Sequence, residues 1–451
     1  MCDTFVVTPA ASADHQMLFA KASDRSPNEP SCALRLPPVD YAPGTRVRCT
    51  YIEIDQAPHT YGTLLFKPSW MWGCEMGANE HGLNIGNEAV FTRLPCAKEG
   101  GLTGMDLARL ALERCRTPRQ AVDTITGLLA RHGQGGNCSF DGTFYYHNSF
   151  LIADASEAWV LETAGPYWAA KKVEGIYAIS NALTIHRKYD LLHPDVIAFA
   201  GGKGWCTGAA DFDFAKCFTD PVRTAFAHAG RRRRLVTAYL AQRSGRLTPM
   251  DMAGALRQHS KRDVYKGGSG SSVCMHAGAR PGASHTTAAY IAHLGPHRST
   301  YYLTGASLPC TSMFKPYWLE AGETQLVLPP YAQSAAVEAW LWRERLPRAI
   351  MQRRLSAAAI AGYMLERDKL EARWFAEAEE AHRGASGPAT LPLLARQAVQ
   401  EEIKLLSHTL EVTLPRTRHL GGPMHRHYWR RKDATLGQRR PQSDANASPL
   451  S

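Results

Sequence analysis

A cysteine directly behind the initiator methionine, at the head of an apolar β-forming run, is the feature that most constrains this chain. Met1-Cys2 leads into Asp3-Thr4-Phe5-Val6-Val7. Such a run reads as a buried strand. Chain ends ordinarily fray, so a terminus that enters a core strand at once is tied down by the fold. The side chain of Cys2 is small, and aminopeptidase trimming of Met1 is expected. The trimmed chain would carry a thiol and a free α-amine on one residue. Such an amine titrates at roughly 7.7–8.0 when unperturbed and can serve as base to a nearby nucleophile. The competing reading is an incidental cysteine on a frayed end.

Further along, Met17–Ala20 reads as a second strand returning from an Asp14-His15 turn. Hairpin pairing brings its polar continuation, Lys21 to Glu29, back beside Cys2. There cations lower a thiol pKa and a carboxylate can hold an ammonium. Trp72 to Phe91 reads as strand, tight turn at Asn79–Gly82, strand, with Asn87 on the second strand as a candidate amide donor to an oxyanion. Thr103–Ala130 switches to helical periodicity in two segments. Two hairpins follow, Ser149–Asp154 with Ala158–Thr163, and Trp168–Val173 with Ile176–Asn181. Asn181 closes the second of these, where an amide can face a cleft. Strands, helices, then strands suggest packed layers rather than βαβ repeats.

Four consecutive arginines, Arg231–Arg234, open an apolar helix. One of them could reach an anionic substrate group, against the commoner reading of a solvated helix start. Lys266–Gly270 lacks the GKS/T ending of a phosphate loop and is discounted. Cys274 and His276 sit close together, but no second ligand pair has metal spacing, and a structural histidine is the preferred reading.

Eleven cysteines are scattered through 451 residues. An odd number without a paired pattern reads as reduced cytosolic thiols, not a disulfide framework. No run resembles a spanning helix, and the N-terminus shows no secretory signal, so the expected location is cytoplasmic. Residues 416–440 hold eight Lys or Arg and one Asp, +7 of the formal +11. Nucleic-acid binding would therefore rest on this tail alone, and a solvated tail is preferred.

Taken together, Cys2–Val6, Lys21–Glu29, Trp72–Val90, His147–Ala170, Ala178–Ile185, Cys274–Gly278 and Ser307–Pro316 resemble the secernin family, within the cysteine dipeptidase group of N-terminal-nucleophile hydrolases. The resemblance spans about residues 1–320. It implies an α+β fold, a four-layer αββα sandwich, with Cys2 as nucleophile. Related amidases carry an Arg-x-x-Asp element after the second strand. Here Lys21 and Asp24 occupy its ends, so Asp24 would hold the α-amine. Asn181 and Asn87 would be the oxyanion asparagines, and Lys21, Arg25 and Arg233 would face substrate. The chain departs from the family pattern at Ala22, where Asn is typical, and at His285, where Gln is typical.

The expected organisation is a catalytic domain over residues 1–325, a C-terminal helical region over 326–412 and a basic, disordered tail over 413–451. The expected function is cysteine-dependent hydrolysis of a peptide or linear amide, with no metal or organic cofactor. The expected partner is a peptide or amide substrate, with a homo-oligomer allowed, no membrane and no nucleic acid. The alternative is a non-catalytic interaction protein on the same fold.

Overall fold

The computed structural model describes residues 1–260, 270–278, 284–384, 387–413 and 423–436. Strands and helices are labelled here where they build the large sheets and the layers around them. The strands are β1 (Cys2–Val7), β2 (Met17–Arg25), β3 (Ser31–Leu36), β4 (Thr63–Pro68), β5 (Met76–Asn79), β6 (Asn84–Val90) and β7 (His147–Ala153). They continue with β8 (Ala158–Ala164), β9 (Tyr167–Val173), β10 (Ile176–Ile179), β11 (Leu191–Leu192), β12 (His285–Leu294), β13 (Ser299–Leu303) and β14 (Lys315–Tyr317). Among the described residues they form a six-stranded sheet, β10-β1-β2-β12-β13-β14, and an eight-stranded sheet, β11-β9-β8-β7-β6-β5-β4-β3.

β1 lies inside the smaller sheet, paired on both sides, and all six of its residues are buried. Its apolar composition requires that position. The register sets Cys2 opposite Ser23 and Thr4 opposite Lys21, as hairpin pairing predicts. β2 runs on to Arg25, five residues past the predicted end, because Lys21, Ser23 and Asp24 each find partners inside the protein. Alternation turns Thr4 and Lys21 toward the larger sheet, where both meet Glu88 of β6. Gly86 makes room for them: a Cβ there would lie 2.7 Å from Lys21 Cδ.

Helices α1 (Gly104–Arg114) and α2 (Pro118–His132) cover the outer face of the larger sheet. Thr103 caps α1 through a reciprocal bond with Asp106, and Thr117 caps α2 ahead of Pro118. The outer face of the smaller sheet is covered by α3 (Ala229–Ala241), α4 (Pro249–Leu256), α6 (Ala357–His382) and α7 (Leu391–Thr413). The order of layers is therefore αββα, as expected.

The C-terminal helical region packs onto this layer. Phe375 and Ala378 of α6 and Ala395 and Val399 of α7 share one apolar cluster with Phe5 and Phe19 of the central strands. Helix α5 (Gln333–Met351) packs on β3 and runs on through Pro347. Buried charges join these helices to the body: Glu402 with Lys315 and Arg343, and Glu371 with Arg257.

The expectation of a disordered tail over 413–451 is corrected in part. Within it Pro423–Ala434 forms a helix, α8, whose Trp429 is fully buried beside the guanidinium of Arg348. Asp433 pairs with Arg348 at 3.0 Å. A tryptophan amid basic residues supplies the anchor that net charge alone conceals. Residues 414–422 and 437–451, and Lys266–Ser269 of the discounted loop, lie outside the described residues. No described helix is long and apolar enough to cross a membrane.

Candidate active site

Cys2 stands at the first position of β1, 5% exposed. Its backbone N–H donates to Asn181 Oδ1 at 3.0 Å, and its sulfur accepts the backbone N–H of Asp24 at 3.4 Å. Both the nitrogen and the thiol of this residue are therefore held. Burial pushes the thiol up to about 12, opposed most strongly by the Lys21 ammonium. In this state, with Met1 attached, Cys2 is a protonated thiol.

Met1 covers it. The terminal ammonium donates to the backbone carbonyl of Asp24 at 2.8 Å. The Met1 side chain packs against an apolar cluster that includes Met71, Phe91, Met105, Tyr146 and Ala227.

Arg232, fully buried on α3, connects the rest. It pairs with Asp3 at 2.8 Å, donates to Ser180 Oγ at 2.7 Å and to the Cys2 carbonyl at 3.3 Å, and also reaches Asn181 Oδ1. The expected arginine was Arg233, and that is corrected. Arg233 donates to the Ala178 carbonyl and lies over the Tyr177 ring. Helical spacing turns neighbouring residues about 100° apart, so one arginine of the run faces inward while the next does not. The unread signal was Asp3, a carboxylate within a buried strand, which needs a buried cation.

Asn181 sits where expected but with the opposite polarity. Cys2 N–H and Arg232 only donate, so the asparagine oxygen must face them. Its Nδ2 is then committed to the Ala89 carbonyl at 2.8 Å. The residue thus holds the Cys2 nitrogen, and its amide is not aimed as an oxyanion donor.

Asn87 is also displaced from its expected role. Alternation along β6 turns Glu88 toward β1 and Asn87 toward α1, where its Nδ2 meets Asn148 Oδ1 and Met105 Sδ, both at 3.2 Å.

Asp24 lies beside the terminus, but its backbone oxygen, not its carboxylate, accepts from the Met1 ammonium. One carboxylate oxygen accepts from Thr286 Oγ1, and the other is buried without a hydrogen bond among the described residues. Burial pushes this carboxyl up to about 7, although the nearby terminal ammonium pulls it down.

Lys21 and Arg25, expected to face substrate, are engaged inside the protein. Lys21 is wholly buried and paired with Glu88 at 3.4 Å. It acts on the thiol as a charge. Arg25 joins Glu29 and Glu75 and donates to the Cys138 carbonyl.

Among the described residues two groups of side chains could share a metal ion: His259, Cys274, His276 and Cys310, and Asp14, His293 and His382. In the second, His382 has Thr300 Oγ1 at 3.0 Å and Gln16 Oε1 at 2.6 Å on its two nitrogens, while His293 meets Asp14 at 2.7 Å. Hydrogen bonds account for that group. The first shows that Cys274 and His276 do meet further ligand types, which sequence spacing did not disclose.

A four-layer αββα sandwich whose first strand opens on a buried cysteine, with polar groups gathered at that residue's nitrogen, defines an N-terminal-nucleophile hydrolase fold. Residues 1–233 match the model of peptidase family C69, and the chain belongs to that family. It is a hydrolase of the cysteine type with Cys2 as its N-terminal cysteine. Similar solved structures include penicillin V acylase from Agrobacterium tumefaciens, 14% identical over 70% of this chain and 86% of that one, TM-score 0.40. Another is a mutant conjugated bile acid hydrolase from Clostridium perfringens, 12% identical over 73% and 98%, TM-score 0.38. A third is a Caenorhabditis elegans ortholog of N-acylethanolamine-hydrolyzing acid amidase, 12% identical over 64% and 92%, TM-score 0.30.

Proposed function

We propose that loss of Met1 matures this chain into a dipeptidase or linear-amide hydrolase, with Cys2 as nucleophile and its own α-amine as base. The observation that carries the reading is the paired restraint on Cys2: Asn181 holds the nitrogen and the Asp24 N–H meets the sulfur. Removing Met1 frees the amine without disturbing either partner.

In the trimmed chain Asn181 Oδ1 orients the α-amine, which takes the thiol proton. The Lys21 ammonium and the Asp24 N–H favour the resulting thiolate. The sulfur attacks the carbonyl carbon, and the C–N bond breaks as the ammonium returns its proton to the leaving amine. Water then attacks the thioester, with the α-amine again as base, releasing the acid and restoring the thiol. The apolar surroundings of the Met1 side chain favour an apolar residue on the acyl side of the bond.

The test is intact-mass measurement of the purified chain, followed by incubation with a panel of dipeptides and N-acyl amides bearing apolar acyl groups. Expected are loss of Met1, turnover, and a thioester adduct on the Cys2 peptide. Turnover by Cys2→Ala at the wild-type rate would refute the mechanism. The close packing of Met1 also supports a second reading, a non-catalytic interaction protein. Complete retention of Met1 with no hydrolysis would select it.

A further inference from the structure

His259, Cys274, His276 and Cys310 come from three separate stretches of chain, 17 and 34 residues apart along the pairs that meet. His259 follows the end of α4. Cys274 and His276 precede β12, and Cys310 lies in the loop between β13 and β14. Their ligand atoms all lie within 4.8 Å of one another. His276 Nε2 stands 3.2 Å from His259 Nε2, 3.4 Å from Cys274 Sγ and 3.2 Å from Cys310 Sγ.

Hydrogen bonding does not explain this convergence. A ring nitrogen carries either one proton or one lone pair, so Nε2 cannot serve three neighbours at once. A metal ion can. With Zn–N near 2.0–2.1 Å and Zn–S near 2.3 Å, the edges of a tetrahedral site are about 3.3–3.8 Å long. The three contacts at His276, 3.2–3.4 Å, lie at or just below the short end of that range.

We propose that these four side chains form a structural zinc site, independent of the Cys2 chemistry. Two thiolates and two imidazoles are the donor set that selects zinc in tetrahedral geometry. Four protein ligands close the coordination sphere, so the ion has no open position for substrate. Cys274 and His276 are buried while His259 and Cys310 are part-exposed, which leaves an entry path.

The surrounding backbone is arranged to hold the ligands. The Gln258 carbonyl accepts the N–H of Val273 at 3.0 Å and of Cys274 at 3.2 Å. Arg257 donates to the carbonyls of Pro309 and Ser312, on either side of Cys310. Leu308, wholly buried, takes a left-handed φ of 53°, which a leucine adopts only where its surroundings enforce it.

The segment so fixed also serves the candidate active site. Gly270 accepts from Arg232 at 2.9 Å, and Met275 N–H donates at 2.8 Å to Thr286 Oγ1, which in turn donates to Asp24. The ion would therefore clamp the outer wall of the Cys2 site.

The full-length chain should carry about one zinc per molecule by elemental analysis. Cobalt(II) should replace it with the visible bands and thiolate charge-transfer absorption of a tetrahedral thiolate site. Cys274→Ala and His259→Ala should each weaken cobalt binding at least 100-fold, whereas Cys49→Ala, at a buried cysteine elsewhere, should not. To separate loss of metal from misfolding of a ligand variant, the wild-type chain supplies a second measurement: a zinc chelator should accelerate alkylation of Cys274 and Cys310 at least tenfold and leave Cys49 and Cys74 unchanged. A folded wild-type chain that neither contains zinc nor binds added Zn²⁺ or Co²⁺ would overturn the proposal.

Discussion

Asn181 Oδ1 accepts the backbone N–H of Cys2 at 3.0 Å across 179 residues of sequence. The same oxygen accepts from Arg232. One acceptor therefore positions both the Cys2 nitrogen and the buried cation beside it. Asn181→Ala should leave the buried Cys2 N–H unsatisfied, Arg232 keeping Ser180 Oγ and the Cys2 carbonyl, at a cost of about 1–3 kcal/mol by urea denaturation. Misplacing the amine should lower kcat by roughly 100-fold with little change in KM. An unchanged kcat in a folded Asn181→Ala chain would exclude the positioning role.

Arg232 and Arg233 are adjacent yet should behave differently. Arg232→Ala strands Asp3 in the core, and breaking such a buried pair costs about 3–5 kcal/mol. Arg233→Ala loses a carbonyl contact and a ring contact at a half-buried position, expected at roughly 1 kcal/mol. Equal losses in parallel denaturant titrations would contradict the assignment of Arg232 as the inward residue.

Glu88 gives stability a pH dependence of known sign. Burial outweighs the pull of Lys21 and pushes this carboxyl up to about 7. An unfolded glutamate releases its proton near pH 4.3, by about that value. Between roughly pH 4 and 7 the folded chain therefore binds more protons, and its contribution to stability is lost as pH rises through that window. Tm measured from pH 4.5 to 8 should fall less steeply in Glu88→Gln than in wild type, even if the variant is less stable throughout. Parallel curves for the two proteins would show that Glu88 is ionised throughout this range.

Trp429 makes α8 part of the body. Its ring is wholly buried with Cys274, Leu308 and Met351. Trp429→Ala should cost about 3–5 kcal/mol and release the C-terminal segment to limited proteolysis at native pH. Unaltered stability, with a protease-sensitive tail already in wild type, would return α8 to the status of an appendage.

Local pattern carried much of this architecture. The hairpin of β1 and β2, the turn at Asn79–Gly82, the capped pair α1 and α2, and the β7–β8 hairpin all follow from alternation, helical period and turn residues acting over short distances. The expected hairpin of β9 with β10 is corrected: β9 pairs with β8 in the larger sheet, while β10 crosses to the smaller sheet and pairs with β1, because Cys2–Val7 needs a partner on each side. So does the placing of Cys2 in a buried strand. What local pattern leaves open is which of several equivalent polar groups faces inward, because that depends on pairing between distant segments. The choice of Arg232 over Arg233 is made by Asp3, 229 residues away. The polarity of Asn181 follows from the donors that reach it. Lys21 and Arg25 turn from substrate ligands into buried partners of Glu88 and of Glu29 and Glu75. His259 and Cys310 meet Cys274 and His276 only through contacts between distant segments. The sequence by itself determined that the chain begins in its own core with a thiol. Only tertiary structure decided which charges and ligands surround it, because burying a charge is affordable only where the fold delivers its partner.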